Sequence, residues 1–204
     1  MNSKQFMKNV FLIFSFIALV ACSSDDDSAS DDNGNGNGNG NGDGEFVFDF
    51  DADNEFGNAY ISDEGTDSGI TKYRLQIVPP GVTFDESSAV FTGGSQGDYV
   101  SFDFKVDSSE DFLVSGNYEF DFQTIPGTVD GVLFKDVTVQ MGGADGNAIV
   151  VDTQDGNEIQ LDITESQVSF TIEATALEAS GGGSSEEWEV TGSYTTDYEV
   201  VSFE

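Results

Sequence analysis

Asp49, Asp51, Asp53 and Glu55 stand at alternate positions in one short stretch, and carboxylates so spaced suit a hard cation that takes six to eight oxygen ligands. The stretch begins like an EF-hand loop but departs from it. The sixth position is Asn54 instead of glycine and the twelfth is Tyr60 instead of glutamate, so a looser calcium site is expected, joined by Asp63, Glu64 or Asp67. The same pattern also describes a strand whose phenylalanines (Phe46, Phe48, Phe50) face a core and whose aspartates face water, where they block edge-to-edge pairing. Both readings stand at this point.

Other chemistry is limited by what is missing. The chain has no histidine and one cysteine, Cys22, so Ser-His-Asp and Cys-His catalysis and the usual His/Cys zinc sites are unavailable. No Gly-Lys-Ser/Thr phosphate loop occurs. Glycoside hydrolysis by a carboxylate pair is the enzymatic alternative, but the sequence marks no particular pair, and no catalytic residue is expected. A glycan-binding role would draw on Trp188, the only tryptophan, if it lay exposed beside Tyr194 or Tyr198; alternation within Glu186-Glu187-Trp188-Glu189-Val190 instead places it inside with Val190.

The elements that must position these residues begin with a leader. Lys4 and Lys8 precede an apolar run from Val10 to Ala21, about 12 residues, too short to span a bilayer but suited to a secretion signal. The run closes on Leu19-Val20-Ala21-Cys22, which resembles the lipobox of bacterial lipoproteins. That resemblance implies cleavage after residue 21 and acylation of Cys22 with diacylglycerol and palmitate-type chains, which would hold the protein to a membrane. Ser23-Ser24-Asp25-Asp26-Asp27 resembles the acidic export signal of Bacteroidota surface lipoproteins, which implies an outer-membrane protein facing the cell exterior; a periplasmic orientation is the alternative. Asp27-Ser28-Ala29 resembles the O-glycosylation acceptor of that phylum, at Ser28. Residues 22–44, rich in Asp and repeated Asn-Gly, cannot bury apolar surface and are expected to form a flexible tether spanning about 25 Å.

The chain carries a net charge of -33. Without the leader's Lys4 and Lys8 it is -35, and residues 45–204 hold 33 acids against Lys72, Arg74, Lys105 and Lys135, or -29. Such a field excludes nucleic acid as a partner and favours cations or cationic surfaces. Added salt or divalent ions are expected to stabilise the domain by relieving self-repulsion.

Residues 45–204 alternate with period two almost throughout, as in Val100, Phe102, Phe104 and Val106 or Val168, Phe170, Ile172 and Ala174. Turn signals such as Pro79-Pro80-Gly81 and Asp155-Gly156-Asn157 separate the runs. The expected fold is all-β: an antiparallel β-sandwich or, alternatively, a flattened β-barrel of roughly nine to eleven strands, with no substantial helix outside the signal peptide. The expected function is adhesion or ligand capture at the cell surface, through a surface protein or a glycan, with a calcium-dependent glycan-binding module as the alternative.

Overall fold

The computed structural model describes residues 46–51, 56–94, 96–140, 143–144, 148–153, 156–179 and 186–202. The leader, Cys22, the tether with Ser28, and Asp53 and Glu55 lie outside them. Among the described residues the structure is all-β, with thirteen strands and no helix. These are β1 (Phe46–Asp49), β2 (Ala59–Asp67), β3 (Ile70–Ile77), β4 (Thr83–Asp85), β5 (Val90–Thr92), β6 (Gln96–Asp107), β7 (Gly116–Phe120), β8 (Thr128–Gln140), β9 (Gly143–Ala144), β10 (Ala148–Val151), β11 (Glu158–Ile163), β12 (Gln167–Ala179) and β13 (Glu187–Val201). The count exceeds the nine to eleven expected because β4, β5 and β9 are only two or three residues long.

Eleven strands form one large sheet, and β4 with β5 forms a separate hairpin. The large sheet is mixed, not antiparallel throughout. β1 and β2 run parallel to successive stretches of β13, and β7 runs parallel to the start of β8. Parallel neighbours need long crossovers, and the partners of β13 sit at the opposite end of the sequence, so short local connections did not reveal them.

The pairings close on themselves. Starting at Glu187, the cross-strand partners run through Leu177, Val150, Val132, Ser101, Gln76 and Tyr60 and return to β13 at Glu199. The circuit passes through seven strands and comes back twelve residues further along. That stagger corresponds to a strand tilt of about 50°, steeper than in ordinary barrels. It is not an even barrel. Between β8 and β12 the gap is filled by β10 at one level and by β7 with β11 at another. Asn157 spans that fork with its side chain. Its Nδ2 donates to the carbonyl of Asp152 at 3.0 Å, and its Oδ1 accepts from the Thr175 N–H at 3.2 Å, so the amide stands in for missing strand backbone.

The alternating apolar residues fill the interior with rings. Phe170 meets Phe50 with centroids 5.0 Å apart and Phe102 at 5.5 Å, and Phe104 meets Tyr118 at 4.8 Å. These rings make the inside a packed core. Gly131 lets them close in: a Cβ there would sit 2.8 Å from the Phe120 ring and 3.1 Å from that of Phe102. A second, smaller core lies under the β4–β5 hairpin, where Phe91 and Val82 cover Tyr60, Val139 and Val201.

Three of the domain's four basic residues are tied down on β3 and β6. Arg74 Nε donates to Asp103 Oδ1 at 2.6 Å, Lys72 Nζ to Asp103 Oδ2 at 3.1 Å, and Arg74 also meets Glu64 at 3.3 Å. Lys105 is buried because residues 121–127 lie against it. Its Nζ donates to the Asp121 carbonyl at 2.7 Å and to Asp130 Oδ1 at 2.9 Å. Burial alone would raise the Asp103 carboxyl, but hydrogen bonds and charge from Arg74 and Lys72 outweigh it and hold the group below the usual aspartate range. Asp130, paired across the strands with Asp103, goes the other way: burial lifts it despite Lys105.

The sign of the pH effect follows from these directions. A depressed carboxyl stabilises the fold fully above its unfolded value, about 3.9, and that contribution is lost as pH falls through the folded value. A raised carboxyl does the reverse, so Asp130 partly masks the effect of Asp103. The stability gap between the native chain and an Asp103→Asn variant should therefore be constant from about pH 5 to 8 and shrink below about pH 4. Urea unfolding across that range measures it; a gap that persists unchanged down to about pH 2.5 contradicts the assignment.

Candidate functional site

The alternating acids do not gather into a cation site among the described residues. Asp49 Oδ1 accepts the Asp51 N–H at 2.9 Å, and Asp51 Oδ1 accepts the Ser193 N–H at 3.2 Å. Asp49 thus holds the turn after β1 in shape, and Asp51 fastens it onto β13 beside Gly192. That glycine has a φ of 109°, and a Cβ on it would come within 2.9 Å of Asp49 Oδ1. Asp63, Glu64 and Asp67 are at the far end of the sheet. β1 pairs with β13 at residues 188–191, whereas β2 pairs at 198–201 and then runs on past the end of β13 toward Asp67. Asp51 is held at Ser193 and Ser62 pairs with Val201, so eight residues of β13, roughly 26 Å of strand, lie between the two groups. Asp63 Oδ1 accepts the Gly65 N–H at 2.7 Å, and Glu64 is held by Arg74. No trio of acids among the described residues is placed to hold a metal ion.

If general screening of the negative field is the whole effect, calcium and magnesium at equal concentration raise the melting temperature by the same amount. Differential scanning fluorimetry in matched chloride salts reads this, and a calcium-specific rise would reveal a built site.

Trp188 packs against the main core with its Nε1 buried, as its alternation with Val190 requires. Tyr194 meets Phe56 edge to face at 5.1 Å, and the Tyr198 hydroxyl donates to the Thr164 carbonyl at 2.9 Å. Six and ten residues along β13 separate these rings from Trp188, roughly 20 and 33 Å. The three do not form an aromatic platform.

What the structure does bring together is the outward face of β11, β12 and β13. The register lines up Glu158 with Glu173 and Thr191, Gln160 with Thr171 and Ser193, and Asp162 with Ser169 and Thr195. Thr175 opposite Glu189 and Leu177 opposite Glu187 extend the face at one end, and Gln167 opposite Asp197 closes the other. Rows on one face recur about every 6.6 Å along the strands and about 4.8 Å across them. Two open hollows lie on this face. One, of about 630 Å³, is bordered by Asn157, Glu158, Glu173, Glu187 and Glu189 and by the partly buried Trp188. The other, of about 260 Å³, is bordered by Gln160, Asp162, Ser169, Thr171, Ser193 and Thr195.

The second hollow is chemically distinct from the rest of a domain whose sequence carries a charge of -29. Its only acid is Asp162, which accepts a hydrogen bond from Ser115 Oγ at 3.1 Å. The Thr171 and Ser193 hydroxyls bond each other at 3.1 Å. Hydroxyls and amides both donate and accept, so this face can match a ligand that does the same. None of the four basic residues lies on these strands. Sequence reasoning missed the face because its members come from three separated runs. The usable signal was the run of outward hydroxyls Thr191, Ser193 and Thr195.

The chain matches no family model, and no curated protein or solved structure is significantly similar to it. The class defined by fold and site is thus an irregular, closed β-domain with a polar, base-free outer face.

Proposed function

We propose that this chain is a lipid-anchored protein of the outer-membrane surface whose β-domain captures a hydroxyl-rich ligand, a glycan, without catalysing a reaction on it. The observation that carries the reading is the aligned set Gln160, Thr171, Ser193, Ser169 and Thr195, a hydrogen-bonding plate with a single acid, Asp162, on a strongly acidic domain. Sugar hydroxyls need partners that both donate and accept, and Ser, Thr and Gln side chains supply them. The lipobox at Leu19-Val20-Ala21-Cys22 and the acids after it support the anchor and the outward orientation. A lipid-held domain on a tether would meet extracellular polymers directly.

Binding of the detergent-solubilised chain to an array of glucans, mannans, xylans and galactans tests the capture role, and silence across the array refutes it. Incorporation of labelled palmitate that disappears in a Cys22→Ser variant tests the anchor.

A further inference from the structure

We infer that the ligand is an extended, uncharged glycan chain laid along β12 and β13, in place of a single sugar; the inference rests on the glycan reading above. Three features of the face point to it.

The first is length. The outward rows from Leu177 with Glu187 to Gln167 with Asp197 span eleven residues of β12, roughly 33 Å. A single ring would meet only one or two rows. The second is shallowness. Both hollows are open to solvent along the sheet face. A ligand there keeps one side in water, and each net hydrogen bond is worth only roughly two- to tenfold in affinity. Useful binding must then be summed over many rows, as a chain can do and a monosaccharide cannot. The third is charge. Lys72, Arg74, Lys105 and Lys135 are on β3, β6 and β8, so the face offers no counter-charge to a uronate or sulfate. Such a chain would instead meet Glu158, Glu173, Glu187 and Glu189 at one end of the face. Thr171 and Ser193 sit mid-plate, in the row shared with Gln160, where a chain running in either direction passes over them.

Isothermal titration calorimetry of the detergent-solubilised chain tests the idea, using gluco-, manno-, xylo- and galacto-oligosaccharides from the monosaccharide to the hexamer and an oligouronate hexamer. For the backbone type that binds, the hexamer should bind at least about tenfold more tightly than the trimer, with no heat from the monosaccharide or the uronate. A Thr171→Ala, Ser193→Ala double variant should lose about tenfold in hexamer affinity. Its melting temperature should stay close to the parent's, because both residues are exposed. Equal affinity for monomer and hexamer, tight uronate binding, or an unchanged double variant each overturns the inference while leaving capture by the domain intact. Failure of every neutral saccharide to bind removes the glycan reading together with it.

Discussion

Replacing Lys105 with alanine is expected to destabilise the domain by about 3–5 kcal/mol, the usual cost of removing one member of a buried ion pair. The side chain is only 3% exposed, while its partner Asp130 is 25% exposed. Taking away the ammonium strands a half-covered carboxylate and the Asp121 carbonyl, and leaves a cavity where the four-carbon stem packed. Asp130→Asn should also be costly, about 3 kcal/mol, because it leaves the more buried ammonium without its counter-charge although the amide oxygen still accepts from it. A Lys105→Met, Asp130→Leu pair should recover most of the loss, since apolar residues of similar volume need no partners. Shifts in the urea midpoint at constant slope measure all three. A Lys105→Ala variant within about 1 kcal/mol of the parent would mean that the residues above the ammonium open readily to water.

The second large effect is expected in the ring-filled interior. Phe102 is fully buried and meets Phe104, Phe120 and Phe170. Phe102→Ala should cost about 3–5 kcal/mol, the range for emptying an aromatic site. Gly131→Ala alone should cost about 1–3 kcal/mol by overpacking, since the new methyl group would press on Phe120, Val151 and Phe102. Combined, the two should cost less than their sum, because the methyl group added at position 131 enters space that Phe102 vacated. A double-mutant cycle isolates the coupling, expected to reach about 1 kcal/mol. Strict additivity would show that Phe120, not Phe102, sets the limit at Gly131.

Much of this fold was legible from period two alone. Val100, Phe102, Phe104 and Val106 face inward on β6 as their alternation demands, and Trp188 packs, partly buried, against the same core as Val190. The turn signal at Gly156-Asn157 falls just before β11, with Gly156 at a φ of 99°. Closure was not legible, because it depends on β1 and β2 meeting β13 across most of the sequence, and local pattern carries no record of such partners. Nor was the role of Asp49 and Asp51: as a string they look like ligands, but the groups that they bind are the backbone N–H groups of Asp51 and Ser193. Lys105 shows the same limit. Its position in the alternation points outward, yet it is buried, with its ammonium bonded to the Asp121 carbonyl and to Asp130. The polar face is intermediate. Each of its strands shows outward hydroxyls or amides, but their alignment into rows is a property of register.

The parallel setting of β1 against β13 has a mechanical side. A tug on the amino end, resisted where β13 finishes near Val201, draws the two strands past each other in opposite directions. All the bonds between Phe46–Asp49 and Trp188–Thr191 are then strained at once, whereas an antiparallel hairpin pulled from its open end would unzip one rung at a time. The first described strand is thus latched in shear by the last described one.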